Sequence, residues 1–315
     1  VDKLLVTGAD TMLGANLALE LRDQFQIVLI GGENTPSLAG CQSIVCDLAD
    51  RSDVAYRVLS ESPRAILHCG ALTRSSWDLI DSTATVDTQH EVNQALALVA
   101  AAERAGCPLV VLSTDAVFCG PRMFHAEIAP TMATHAAAEA AKTLERALAT
   151  TATLLVRTHA YGWSPACAAA GYAETVWSNL TQNLGCPVDS QNYATPILAT
   201  DLAPVLVKAL DLNLRGLYHL TGAERASQYR FAAEMAVTFG LTGRQVLLEP
   251  PKKRLSTRPF MDETSLNIAS ARRDLRMALP MLREGLGRFA EQATNGFREE
   301  LQAARPQSRP IVHAA

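Results

Sequence analysis

The 315-residue chain has no Cys-x-x-Cys pair among its seven cysteines, no apolar run near the ~20 residues that span a bilayer, and no marked excess of either charge. Each absence excludes something. The odd set Cys41, Cys46, Cys69, Cys107, Cys119, Cys167 and Cys186 argues against a disulfide framework and against a zinc site, so reduced thiols and no metal are expected. A formal net charge of -4 gives nucleic acid or an anionic membrane no electrostatic hold. The first residues read as a strand and not as a charged, apolar, small-residue leader, so a cytoplasmic protein is expected. No internal repeat is visible. With 48% hydrophobic and 19% charged residues, a chain of this length can bury the core of one large or two ordinary domains.

What is present is a rhythm. Apolar strand-like runs at Lys3 to Thr7, Gln26 to Ile30, Ala65 to His68, Pro108 to Leu112 and Thr153 to Arg157 alternate with helix-patterned stretches at Met12 to Arg22, Ser52 to Ser60, His90 to Ala105 and Ala133 to Ala149. That order predicts an α/β fold, a Rossmann-type doubly wound parallel sheet. The rhythm breaks after Tyr161-Gly162, where shorter elements follow. The expected division is a dinucleotide-binding domain over 1–160, to which 194–214 returns. A smaller discontinuous α/β lobe over 161–193 and 215–305 follows, with a frayed tail over 306–315. Pro250-Pro251-Lys252-Lys253-Arg254 reads as a solvated loop before a final helical part, Ser270 to Leu301.

The run Leu4-Leu5-Val6-Thr7-Gly8-Ala9-Asp10-Thr11-Met12-Leu13-Gly14 is a strand, a tight turn and a helix start. Glycines there let a backbone approach a pyrophosphate while the helix amino terminus faces its charge. Gly8 and Gly14 hold the outer positions of a Gly-x-x-Gly-x-x-Gly turn, and Thr11 holds the middle one, where a side chain would crowd the phosphates or add a hydroxyl. Met12 and Leu13 belong to the same cradle, and Gly70 and Ala71 follow the fourth strand. Asp47-Leu48, after Ser43-Ile44-Val45, resembles the acidic position that meets an adenine amino group in dinucleotide-binding dehydrogenases, with a plain helix cap as the alternative. No Arg follows Ile30-Gly31-Gly32-Glu33, and Glu33 suits ribose hydroxyls, so NAD is mildly favoured, with NADP left open.

Ser113 and Thr114 emerge at the carboxyl end of the buried Pro108 to Leu112 strand, the edge at which open α/β sheets bind ligands. They continue into Asp115-Ala116-Val117-Phe118-Cys119-Gly120, and Lys142 follows in the next helix. Together with Ile66-Leu67-His68-Cys69-Gly70-Ala71, Asn93, Arg157-Thr158, Tyr161-Gly162, Thr195-Pro196, Asp201-Leu202-Ala203, Gly216-Leu217-Tyr218-His219, Arg258-Pro259 and Leu279-Pro280, this ordered set resembles the dTDP-4-dehydrorhamnose reductase family of extended short-chain dehydrogenases over nearly the whole chain.

The resemblance implies NAD or NADP as cofactor and a nucleotide sugar, or another small molecule, as ligand. A homodimer or a protein partner is left open. It implies Thr114 and Lys142 as catalytic residues, with Lys142 also holding the cofactor, and Ser113, Asp115, Tyr161 and Arg258 at the substrate. Two departures matter. Where the family has Ser-Thr-Asp-Tyr the chain has Ala116, and where it has Tyr-x-x-x-Lys the chain has Ala138 four residues before Lys142. General acid catalysis contributes ~10²–10⁴-fold, so a reductase without its tyrosine is heavily slowed. His135, one turn before Ala138, is the substitute acid to consider, and a helix-start histidine is its plainer reading. A degenerate reductase, a non-catalytic nucleotide- or partner-binding protein and a non-redox enzyme all stand at this point.

Overall fold

A computed structural model describes residues 1–79, 86–241, 246–248 and 263–306. Seven strands form one sheet: Lys3–Thr7 (β1), Gln26–Gly31 (β2), Gln42–Val45 (β3), Ala65–His68 (β4), Leu109–Thr114 (β5), Leu154–Thr158 (β6) and Gly216–His219 (β7). Their spatial order is β7-β6-β5-β4-β1-β2-β3, and every pairing is parallel. This is the doubly wound order, with the switch point between β1 and β4.

The strand sequences explain the two layers. Leu4, Val6, Ile27, Leu29, Val110 and Leu112 point to one face, and the residues between them, Leu5, Val28, Ile30, Leu109 and Val111, point to the other. Met12–Leu21 (α1) covers the first face. Arg51–Glu61 (α2), Thr88–Ala105 (α3) and Ala136–Leu148 (α4) cover the second with Val54, Val58, Val92, Leu98, Leu144 and Leu148. Ala199–Asp211 (α5) packs against α1, which places that part of the 194–214 segment beside the sheet.

The strand expected from Gly216 to Leu220, assigned with 215–305 to the smaller lobe, instead joins this sheet as β7, with Gly216 to His219 paired with Leu154 to Arg157. The smaller lobe is assembled from Tyr172–Thr181, Gln228–Thr238 and Leu282–Gln292 around Trp163, Phe231 and Phe289, with Trp163 stacked on Phe289 at 4.1 Å. The final helical part is three helices, Ala269–Leu275, Leu282–Gln292 and Phe297–Ala303. Arg305–Pro306 pairs antiparallel with Pro36–Ser37, while 307–315 and the Pro250 to Arg254 loop lie outside the described residues. Among the described residues all seven cysteines are free, no helix is long and apolar enough to cross a membrane, and no cluster of metal-ligating side chains occurs.

Two expected outcomes follow from this packing. Gly8 has φ +70°, and a Cβ on it would lie 1.8 Å from the Cys69 carbonyl oxygen. Gly8→Ala should therefore destabilise the protein by more than the roughly 1–3 kcal/mol of the left-handed conformation alone, read from urea unfolding; an unchanged midpoint would refute the close approach.

Two buried histidines, His68 at the end of β4 and His219 at the end of β7, supply the second. Burial lowers His68 to about 4, and burial followed by the Arg157 charge lowers His219 to about 3. An unfolded histidine titrates near 6.5, so between that pH and about 4 the unfolded chain binds protons that the native one refuses, and stability falls as pH falls. Each group adds a slope approaching about 1.4 kcal/mol per pH unit in that window. His219→Gln should flatten the fall in urea midpoint between pH 7 and 4.5, and an equally steep fall would remove His219 as its source.

Candidate active site

The turn after β1 is shaped by backbone contact. A Cβ on Gly14 would lie 2.1 Å from the Gly8 carbonyl oxygen, so the loop closes on itself only with glycine at both ends. Thr11 caps α1: its hydroxyl accepts from the Gly14 N–H at 3.1 Å and donates to the Gly8 carbonyl at 2.7 Å. The hydroxyl thus turns back onto its own loop, while Thr11 still lines the pocket beside it. The next amides, those of Met12 and Leu13, open α1 at the positive end of its dipole.

A pocket of about 280 Å³ opens beside this turn, lined by Gly8 and Thr11, by Gly31 to Thr35 after β2, by Leu48, and by His68, Gly70, Ala71, His90, Glu91 and Gln94. His68 Nδ1 lies 2.6 Å from Thr7 Oγ1, and its buried Nε2 has no hydrogen-bond partner among the described residues. Glu91, in the first turn of α3, is buried and accepts from the Ala71 N–H at 2.9 Å. Burial raises its pKa, with the Ala71 N–H pulling the other way. Asp47 does not line this pocket. It is exposed and accepts from the Ala49 N–H at 2.9 Å, a local turn ahead of Asp50, the true cap of α2. Gly8, Gly70, Ala71 and Leu48 are thus brought together as expected, and Asp47 is not.

The pocket fits a dinucleotide on observations of its own. It has a glycine turn at a helix start, an acidic residue, Glu33, in the turn after β2, and a buried imidazole nitrogen left without a partner among the described residues.

The corner at the end of β5 is closed. Thr114 is 1% exposed, donates to the Arg74 carbonyl at 2.6 Å and accepts from the Ala116 N–H at 3.0 Å. Ser113 does not face a cleft either. It donates to Glu145 Oε1 at 2.7 Å, and Glu145 is gripped by Arg157 through Nε at 2.9 Å and Nη2 at 2.6 Å. Asp115 is wholly buried and accepts from the Ser76 N–H at 2.9 Å, the Ser76 hydroxyl at 2.7 Å, His159 Nδ1 at 2.7 Å and the Thr264 hydroxyl at 2.5 Å. Burial alone would raise its pKa, but the charge and hydrogen bond of His159, with the hydroxyls of Thr264 and Ser76, hold it below the usual carboxylate range. Ser76, His159 and Asp115 are the residue types of a hydrolytic triad without its geometry: the serine, at 3.4 Å, and the aspartate both address the same ring nitrogen.

The remaining expected residues are corrected or fall outside view. His135 is the cap of α4, with Nδ1 accepting from the Ala138 N–H at 3.3 Å and Nε2 facing the Ala116 carbonyl at 3.1 Å. Its ring is therefore neutral, with the proton on Nε2 held by that carbonyl, and burial lowers its pKa further from acid duty. Lys142 donates to the Ala133 carbonyl at 2.7 Å and to Glu139 at 2.6 Å, and it lines an outer groove with Arg146, Leu155 and Leu217 instead of the pocket at Gly8. Tyr161 packs between Phe231 and Phe289 in the smaller lobe, its hydroxyl buried and unpartnered among the described residues. Arg258 lies outside the described residues.

Sequence reasoning missed Ser76, His159, Thr264, Glu145, His68 and Glu91. Glu91 carried a legible signal: it falls in register with Ala95, Leu98 and Ala102, an acidic residue at the head of the buried stripe of α3.

A dTDP-4-dehydrorhamnose reductase of Sinorhizobium fredii is 25% identical over 255 residues, 78% of this chain and 81% of that protein. The crystal structure of dTDP-4-dehydrorhamnose reductase from Bacillus anthracis in complex with NADP matches with a TM-score of 0.72 at 20% identity, covering 93% of this chain and 100% of that one. UDP-glucose 4-epimerase from Thermotoga maritima, solved with UDP-glucose, matches with a TM-score of 0.73 at 13% identity, covering 94% and 99%. At these identities the two structures establish the shared fold. Residues 2–295 match the family model of the RmlD substrate binding domain, and the chain belongs to that family.

Proposed function

We propose that the protein is a nucleotide-sugar oxidoreductase of the short-chain dehydrogenase type with a degenerate active site, binding NAD or NADP at the Gly8–Gly14 turn and turning a ketone over slowly if at all. A bound nicotinamide would supply the hydride. Residues of this chain suited to hold it are Gly8, Gly14, Met12 and Leu13 at the phosphates and Glu33 at a ribose.

One observation carries the reading: the expected proton donors near the end of β5 are already committed to the protein. Thr114 is bonded to Arg74, His135 to Ala116, and Lys142 to Ala133 and Glu139. The phase of α4 supports it further. Ala141 is buried against Val117, Phe118 and Leu266, and Ala137 lies one turn before it. Ala138 is itself wholly buried while Ala137 is only half-buried, so the position four before Lys142 points into the protein and the tyrosine slot of a Tyr-x-x-x-Lys motif is a buried alanine. The same commitment of donors favours, as a second reading, a protein that binds its nucleotide without turnover.

Calorimetric titration with NADH and NADPH, beside reduction of dTDP-4-dehydrorhamnose, tests this. Binding is expected for at least one dinucleotide, with turnover below that of the Sinorhizobium fredii reductase by about 10²-fold or more, the loss of a general acid. Comparable turnover would overturn the degenerate site, and absence of binding would overturn the dinucleotide reading. Lys142→Met should leave dinucleotide affinity unchanged, because the ammonium faces the outer groove. A tenfold loss in that variant would place Lys142 at the cofactor after all.

A further inference from the structure

Three carboxylates line the pocket beside Gly8: Asp10 on the glycine turn, Glu33 after β2 and Glu91 on α3. Asp47 is exposed and occupied by the Ala49 N–H. Glu91 is 8% exposed, lines the pocket, and is anchored through Oε2 to the Ala71 N–H. Gly70 lies between Glu91 and His68: a Cβ on it would stand 2.5 Å from Glu91 Oε2 and 3.1 Å from His68 Nε2. Both polar atoms therefore converge on the space that the absent side chain leaves free. His68 Nε2 is buried with no partner among the described residues, which costs about 1–3 kcal/mol unless a ligand or water completes it. The other polar groups on this wall, His90 Nε2 and Gln94 Nε2, are bonded to each other at 2.7 Å.

The order along the pocket assigns its ends. A phosphate belongs at the start of α1 and ribose hydroxyls belong at Glu33, so the base of the same ligand falls at the remaining end, between Leu48 and the first turn of α3. An apolar wall there would tolerate any purine. A buried carboxylate does not, because it accepts hydrogen bonds and repels a carbonyl oxygen brought against it.

We propose that Glu91 is a specificity-determining residue of the nucleotide pocket, selecting a base that presents an amino group, as adenine does, over one that presents a carbonyl at the same position. This rests on the nucleotide-binding reading above. Asp47, the residue placed there by sequence position, has no part in the selection.

The test compares ADP with inosine diphosphate, which differ at that amino group, by calorimetric titration of the wild-type chain and of Glu91→Gln. The wild type should bind ADP at least tenfold more tightly. Glu91→Gln should abolish or reverse that preference, since the amide can keep its carbonyl on the Ala71 N–H and turn its NH₂ toward the base. Asp47→Asn should keep the wild-type ratio. Equal affinity of the wild type for both nucleotides would overturn the proposal while leaving nucleotide binding intact, and so would an unchanged ratio in a Glu91→Gln protein with native circular dichroism. Failure of the wild type to bind ADP, inosine diphosphate or NADH would overturn both the proposal and the reading beneath it. The wild-type comparison stands even where the variant fails to fold.

Discussion

The buried Asp115 carboxylate governs the candidate site. Its two oxygens take the backbone and hydroxyl of Ser76, the ring of His159 and the hydroxyl of Thr264, so one side chain joins the segment after β4, the end of β5, the segment after β6 and the chain beyond residue 263. A charge at this depth is tolerable only with such a set of donors, and removing one strands the rest. The consequence reaches Thr114. By pinning Ser76, Asp115 holds the Arg74 carbonyl over the Thr114 hydroxyl, and the hydroxyl that would polarise a ketone is bonded inward.

The second buried ion pair, Glu145 with Arg157, acts on α4 in the same way. Glu145 is held from two sides by Ser113 and Arg157, with the Arg157 guanidinium 4.9 Å from the Phe118 ring centroid. This fixes the rotation of the helix about its axis. With Glu145 inward, Ala141 one turn earlier is inward too, and Lys142 is carried to the flank where Glu139 and the Ala133 carbonyl receive it.

The sheet was legible because its strands are apolar on both faces, the pattern that parallel strands between helices require. β7 reads as a strand, but its place in this sheet does not show: Gly216-Leu217-Tyr218-His219 is an edge strand, partly exposed, and follows the break in the rhythm. The phase of α4 was illegible for a related reason. Six of its thirteen residues are alanine, and alanine is content on either face, so spacing to Lys142 could be read without knowing which way it points. Tyr161 misled because its place after β6 suggests the cleft, whereas Phe231 and Phe289, which surround it, come from segments far along the chain.

What each residue says about ligands depends on whether the fold alone would choose it. Gly8 and Gly14 are demanded by the protein's own backbone, which leaves 1.8 Å and 2.1 Å for a Cβ, so their presence is explained with the pocket empty or full. Thr11 is explained as a cap, and Asp47 as a turn. Glu91 and His68 are different. A carboxylate at the head of the apolar stripe of α3 and an imidazole nitrogen buried without a partner among the described residues each carry a desolvation cost that the Ala71 N–H and Thr7 offset only in part. Neither is chosen by the backbone or the apolar packing around it, and both approach Gly70, where a larger residue would be excluded.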